Sequence, residues 1–193
     1  MKLQQALHIA TDIVNKLTPH CNTIHIAGSI RREKQEVKDI EIVCYPKKTV
    51  LNDLFGWDEG TSTDIDFQYT ATKLGTIIKG NTEGRYMQIA LPDGINLDLF
   101  MPQDYDYYRQ LAIRTGSAEF SHKVIATTWL ALGWVGTDKG LRRREDCENI
   151  SIGGGKYKWK IVNQNGLHPP VWKSEEEFFE WLTLNWIEPN KRK

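Results

Sequence analysis

The stretch that most constrains the fold is DIEIVCY, residues 39–45, where acidic and apolar side chains alternate before the run turns wholly apolar. Period-two alternation is the signature of a half-buried strand, with Ile40, Ile42 and Cys44 on the buried face and Asp39 and Glu41 together on the other. A sheet with one covered face must therefore hold this strand. Two carboxylates held side by side repel unless a cation stands between them, and oxygen-ligated Mg²⁺ is the natural one. On the pair alone, two solvent-facing acids on a half-exposed strand are the commoner reading.

Neighbouring segments supply the rest of such a sheet. Leu3, Leu7, Ala10, Val14 and Leu17 recur at helical spacing and Pro19 ends the run, which predicts an amphipathic helix packed on the sheet. Residues 23–27 predict a short strand that runs into Gly28-Ser29. Residues 85–91 and 95–101 flank the turn-forming Pro92-Asp93-Gly94 and predict an antiparallel hairpin whose second strand carries Asp98. Residues 49–72 hold Asp53, Asp58, Glu59, Asp64 and Asp66 and no Lys or Arg, and read as a solvated peripheral insert.

Farther on, Ser117 predicts the N-cap of a helix lined on one face by Val124, Thr128 and Leu132. Gly153-Gly154-Gly155 falls between two predicted strands as a hairpin loop. Ser174-Glu175-Glu176-Glu177 reads as a capping box opening a Phe- and Trp-rich helix that stops at Pro189. A boundary near residue 104 divides the chain into units 1–104 and 105–193. Tyr105, Tyr107 and Tyr108 could stack on bases but read better as packing residues, as do Trp129, Trp181 and Trp186, and Lys191-Arg192-Lys193 reads as a frayed terminus.

Composition narrows the function classes. The 193 residues are 40% hydrophobic and 26% charged, as in ordinary globular proteins. Lys plus Arg and Asp plus Glu both number 25, so a protein that coats DNA through bulk positive charge is disfavoured, whereas a local basic patch is not. Arg142, Arg143 and Arg144 with Lys156, Lys158 and Lys160 form such a patch, read equally well as phosphate-backbone contacts or as a solvated strand face. Cys21, Cys44 and Cys147 make neither a disulfide framework nor a zinc site, the five His show no ligand spacing, and the chain lacks a signal-peptide core or an 18-residue apolar run. A reducing cytoplasm is the expected compartment, and no membrane partner is expected.

Asp98 is a third acid within an apolar strand, and beside Asp39 and Glu41 it would complete a site for two metal ions and in-line phosphoryl displacement. Ten residues before Asp39 stands Ser29, in Gly28-Ser29-Ile30-Arg31-Arg32. A Gly-Ser turn after a strand lets backbone amides and a hydroxyl approach an anion, and an Arg fork suits phosphate oxygens. Of the two arginines, Arg31 is pointed away from such a site by its alternation.

These motifs in this order resemble the DNA polymerase beta-type nucleotidyltransferases, family X. Thr115-Gly116-Ser117 followed by Phe120 is similar to that family's Thr-Gly-Ser-x-x-Phe, and the stretch from Ser174 through Ile187-Glu188-Pro189 resembles its closing helix and tail. The resemblance implies an α/β (α+β) fold: a catalytic palm, 1–104, with a mixed, mainly antiparallel sheet, and a small nucleotide-binding lobe, 105–193. It implies that Asp39, Glu41 and Asp98 bind two Mg²⁺ ions (Mn²⁺ as a substitute) and that Asp98 helps deprotonate a primer 3′-hydroxyl. Gly28, Ser29 and Arg32 would hold the β- and γ-phosphates of a dNTP. Thr115, Gly116 and Ser117 would form the turn under the sugar, where the family often has a cis peptide. Partners would be dNTP and weakly bound primer-template or gapped DNA, with the protein a monomer in short-gap repair. With about 27 residues before Gly28, the lyase and helix-hairpin-helix modules of the repair enzymes are not expected.

The departures are Lys38 where the family commonly has Gly, Glu41 where it usually has Asp, and Ile113 and Arg114 where the polymerase beta type has two aromatics. Ala118 and Ser121 stand where that type has Asp and often Asn. The altered sugar-side residues leave open a template-independent transferase acting on RNA, a protein or a small molecule. A catalytically silent nucleic-acid-binding module is the third possibility.

Overall fold

The computed structural model describes residues 1–52 and 58–193, so Asp53 of the acidic stretch lies outside the described residues. Helix α1 (Leu3–Leu17) leads into β1 (Cys21–Ile26), a helical turn α2 (Gly28–Arg31) and β2 (Asp39–Pro46). Strands β3 (Lys48–Asn52) and β4 (Asp58–Thr63) form an antiparallel ribbon, followed by α3 (Ile65–Thr72), β5 (Thr76–Gly80), β6 (Tyr86–Ala90) and β7 (Asn96–Phe100). The five-stranded sheet has the order β1-β2-β7-β6-β5, with β2 and β7 parallel and the other pairs antiparallel. It is the mixed, mainly antiparallel sheet that the resemblance implies.

One face of this sheet is the core. Ile40, Ile42 and Cys44 of β2, Leu97 and Leu99 of β7, and Met87 and Ile89 of β6 are fully buried there. Side chains of this size stabilise by about 1.5–3 kcal/mol each when buried, so this face alone anchors the acids on the other. Helix α1 covers it with Ala6, Ala10, Ile13 and Leu17, while Leu7 is 38% exposed. The buried stripe is thus rotated from the expected Leu3/Leu7/Ala10/Val14/Leu17 set, with Ala6 and Ala10 lying fully buried in the core.

The acidic stretch is not all a solvated insert. The Asp64 carboxylate accepts from the backbone N–H groups of Asp66 and Phe67 and so starts α3, and Phe67 and Ala71, four apart on one helix face, are fully buried in the same core. Val50 and Leu51 on the ribbon remain exposed.

Beyond the sheet, α4 (Tyr107–Thr115) packs Tyr107 and Leu111 against Ala27, Val43 and Phe100 on the acidic face. The Tyr107 hydroxyl donates to the Val43 carbonyl at 3.0 Å and meets His25 Nδ1 at 2.8 Å. Ser117 caps α5 (Ala118–Phe120) by accepting from the Phe120 N–H, as its position predicts. A π-helical stretch, Ser121–Ala126, then links α5 to α6 (Thr127–Ala131). Its wider turn rotates the helix, so Phe120, Ile125 and Trp129 are the buried residues and Val124, Thr128 and Leu132 are only half-buried.

Strands β8 (Trp134–Thr137), β9 (Gly140–Arg143), β10 (Cys147–Gly153) and β11 (Lys156–Ile161) form a second sheet of order β10-β11-β8-β9, with the glycines at the β10–β11 turn. Helix α7 (Glu175–Trp181) closes a second apolar cluster that includes Trp129, Trp134, Trp172, Phe178 and Phe179. It ends well before Pro189, because Thr183 takes φ 59° and its N–H turns back to the Glu180 carbonyl at 2.8 Å.

The C-terminal residues are not frayed at Arg192, which is fully buried. Its guanidinium donates to both oxygens of Glu175 (2.6 and 3.1 Å) and to the Ile187 carbonyl (2.8 Å), and lies over the Phe179 ring. Among the described residues, no helix is long and apolar enough to cross a membrane.

Candidate active site

The parallel pairing of β2 with β7 sets Glu41 directly opposite Asp98 and Asp39 opposite Asn96. All three acids therefore rise from one face, half-buried, on strands whose other face is the packed core. Antiparallel pairing puts Gln88 of β6 opposite Asp98. Asp98 Oδ1 accepts from Gln88 Nε2 at 2.8 Å and from the Tyr86 hydroxyl at 2.7 Å. Burial, then the bond to Asp98 and its charge, push the Tyr86 hydroxyl up to about 12, so it stays a proton donor. Burial, then the charge of Asp39, push the Glu41 carboxyl up to about 7, against the pull of Arg114 and Arg32. Asp39 is raised for similar reasons, burial first and Asp98 next.

The Gly-Ser turn lies against this group. The Ala27 N–H donates to the Glu41 carbonyl at 2.8 Å, which ties the end of β1 to β2. Gly28 follows at φ +61°, and a Cβ there would stand 2.0 Å from Glu41 Oε2, so both conformation and space demand glycine. Ser29 Oγ is buried without a hydrogen-bond partner among the described residues, as are Arg32 Nε and Arg114 Nε. Arg32 Nη1 donates to the carbonyls of Thr115 (2.7 Å) and Gly116 (2.9 Å), joining the Gly-Ser turn to the Thr-Gly-Ser turn. Arg31 turns the other way, donating to Thr115 Oγ1 at 2.7 Å and to both oxygens of Glu175.

Asp39, Glu41, Asp98, Gly28, Ser29 and Arg32 thus come together, and Thr115 and Gly116 join them through Arg32. Thr115 is fully buried with its hydroxyl engaged, and Ser117 Oγ is spent on its cap. The peptide bonds of this turn are trans, unlike the expected cis link, and both carbonyls meet one guanidinium nitrogen.

Three participants escaped the sequence reading. Tyr86 and Gln88 share the parity of Asp98 across a hairpin, and counting back from the Pro92-Asp93-Gly94 turn would have found them. Arg114, noted only as a departure, lies 3.9 Å over the Phe100 ring and lines a cavity of about 520 Å³ with Glu41, Asp98, Tyr86, Lys79 and Arg85.

The donor set fits hard divalent cations: three carboxylates on one face, one of them, Glu41, pushed up by burial first and by the charge of Asp39 next, so that a cation would relieve it. The buried, unpartnered Ser29 Oγ and Arg32 Nε likewise fit phosphate oxygens. The three carboxylates of the triad do not all close to within 4.8 Å of one another. The His/Asp group that does, among the described residues, is His20, Asp64 and Asp66, a meeting that spacing did not reveal, with Asp64 already capping α3.

No protein-family model matches the sequence. No curated protein matches it either. Among solved structures, a Leishmania infantum polymerase beta in a ternary gap complex is similar, with a TM-score of 0.65, 16% identity, and 100% of this chain and 70% of that chain covered. The chain therefore has a polymerase beta-like fold, of mixed α/β class.

Proposed function

We propose that this protein is a family X nucleotidyltransferase that adds dNMP from a dNTP to a DNA 3′-hydroxyl and releases pyrophosphate, in short-gap repair synthesis. The observation that carries the reading is the register of β2 and β7, which sets Asp98 opposite Glu41 beside an unpartnered Ser29 hydroxyl and Arg32 Nε. In this reading residues 1–104 are the palm and 105–193 the nucleotide-binding lobe.

Asp39, Glu41 and Asp98 would hold two Mg²⁺ ions, whose charge would offset that of the triphosphate and lower the pKa of the attacking hydroxyl. The protein's own groups do the rest. Ser29 Oγ and Arg32 Nε donate to the β- and γ-phosphates, and Gly28 lets them approach the carboxylates closely. Tyr86 and Gln88 fix Asp98 through Oδ1, which leaves Oδ2 to face the 3′-hydroxyl and take up its proton. Arg32 holds the Thr115–Gly116 turn in place as the floor under the sugar.

The test is Mg²⁺-dependent incorporation of labelled dNTP into a one-nucleotide gapped duplex, with each template base in turn. Template-directed single additions are expected. Label added without regard to the template base would favour a template-independent transferase, and no label on any acceptor would sink the enzymatic reading.

A further inference from the structure

Lys156, Lys158 and Lys160 alternate along β11, so they project from one face of the second sheet, and all three are exposed. Lys139, in the β8–β9 turn, lines a shallow pocket of about 220 Å³ together with Lys158, Lys160 and Gln164. Among the described residues Lys139, Lys156 and Lys160 have no carboxylate within 4 Å. Lys158 reaches Asp138 at 3.5 Å, an exposed pair worth little in water, and Glu148 stands across the strand from Lys160 without closing on it. Because the chain carries equal numbers of acids and bases, this run is a local excess and not a consequence of composition.

The lysine strand is joined to the candidate active site by direct neighbours. Thr137 pairs with Trp159 of β11 and with Gly140 of β9. Gly140 packs against Asp106, whose Oδ1 would lie 3.4 Å from a Cβ at that glycine. Asp106 in turn pairs with Arg85 at 3.5 Å, and Arg85 lines the cavity that holds Asp98, Lys79 and Arg114. This run of neighbours, through Asp106, Gly140, Thr137 and Trp159, connects the Asp98 side of the cleft to the β11 strand. Arg142 and Arg143 do not take part. Arg142 is buried, and Arg143 lies over Trp134 and donates to the Leu132 carbonyl.

We infer that the lysine face of β11, with Lys139, docks the sugar-phosphate backbone of the DNA flanking the reacting end. The identity of that polymer rests on the nucleotidyl-transfer reading above. Alternate residues on a strand are about 6.8 Å apart, and each ammonium on its long stem reaches a separate phosphate without demanding a fixed geometry. Such contacts position the duplex and carry no base information.

The experiment is fluorescence anisotropy of a labelled one-nucleotide gapped duplex over a KCl series. It compares the wild type with Lys156→Gln/Lys158→Gln/Lys160→Gln and with Lys139→Gln, alongside dNTP incorporation at saturating DNA. Each lost phosphate contact lowers the salt slope by about 0.9, so the triple variant should lose about 2.7 and bind at least tenfold more weakly at low salt, with kcat and melting temperature unchanged. Normal incorporation with an unchanged slope in the triple variant overturns the docking surface and leaves the enzymatic reading standing. Lysine-dependent DNA binding by a chain that incorporates nothing does the reverse. Lysine-dependent binding to phosphatidylserine vesicles, with none to DNA, also overturns it.

Discussion

Gly28 and Glu41 occupy adjoining space: a Cβ on residue 28 would stand 2.0 Å from Glu41 Oε2, 2.8 Å from its Cδ and 3.0 Å from its Cβ. The Glu41 side chain is folded under a residue that has none, and this is how a carboxylate one methylene longer than Asp is accommodated beside Asp39 and Asp98. The glycine of the Gly-Ser turn and the second acid of the strand therefore form one fitted pair.

Gly28→Ala should reduce nucleotide incorporation by at least about a hundredfold and destabilise the fold by about 1–3 kcal/mol, since the methyl meets Glu41 and φ is +61°. Adding Glu41→Asp shortens the arm that the methyl strikes and should recover part of the lost activity. Gapped-duplex kinetics with thermal melts check both. If the single variant is as active as the wild type, the fit has no functional weight.

Asp98→Ala should lower kcat at least about a hundredfold, roughly 2.7 kcal/mol of transition-state stabilisation, with dNTP binding better preserved because Asp39 and Glu41 remain. Tyr86→Phe removes one of two donors to Asp98 Oδ1 and should cost about tenfold in kcat with little change in KM. Single-turnover rates separate the two parameters. Near wild-type turnover in Asp98→Ala would take that residue out of the mechanism.

The neighbouring arginines should separate cleanly. Arg32 faces the acids with its Nε unpartnered, so Arg32→Ala should raise the KM for dNTP about tenfold or more. Arg31 is committed to Glu175, whose carboxyl is held below its ordinary range by Arg192 and Arg31 in spite of its burial. Arg31→Ala should therefore leave KM within about threefold and appear instead as about 1–3 kcal/mol of lost stability in a urea melt. Equal KM effects from both would contradict the geometry.

What could be read from the sequence was whatever short-range periodicity controls. Asp39, Glu41 and Asp98 follow from period-two strands, and the β6–β7 hairpin from its turn triplet, because each signal lies within about a dozen residues. The features that escaped depend on distant neighbours. Arg192 is buried because Glu175 and Phe179 lie under it, and nothing in Lys191-Arg192-Lys193 marks that. The buried face of the helix after Ser117 is reset by a π-helical stretch that has no sequence signal of its own. Arg114 looked like the loss of an aromatic, yet its guanidinium lies over Phe100 in the cleft, a placement that only the sheet's packing with α4 reveals.

Protonation of Glu41 makes the last prediction. Its carboxyl titrates near its ordinary value in the unfolded chain but is pushed up to about 7 in the fold, by burial first and by Asp39 next. Between those values the folded state holds the extra proton. In EDTA, stability should therefore fall as pH rises from about 4.5 to about 7 and level off above that, with Asp39 adding in the same direction. Glu41→Gln carries no such charge, so in EDTA it should melt a few degrees above the wild type at pH 8 and together with it at pH 5. Divalent cations bind the ionised carboxylate, so Mg²⁺ should raise the wild-type melting temperature at pH 8, do little at pH 5, and do little to Glu41→Gln at either pH. Equal Mg²⁺ stabilisation at both pH values, or an undiminished response in Glu41→Gln, would mean that Glu41 is not a metal ligand.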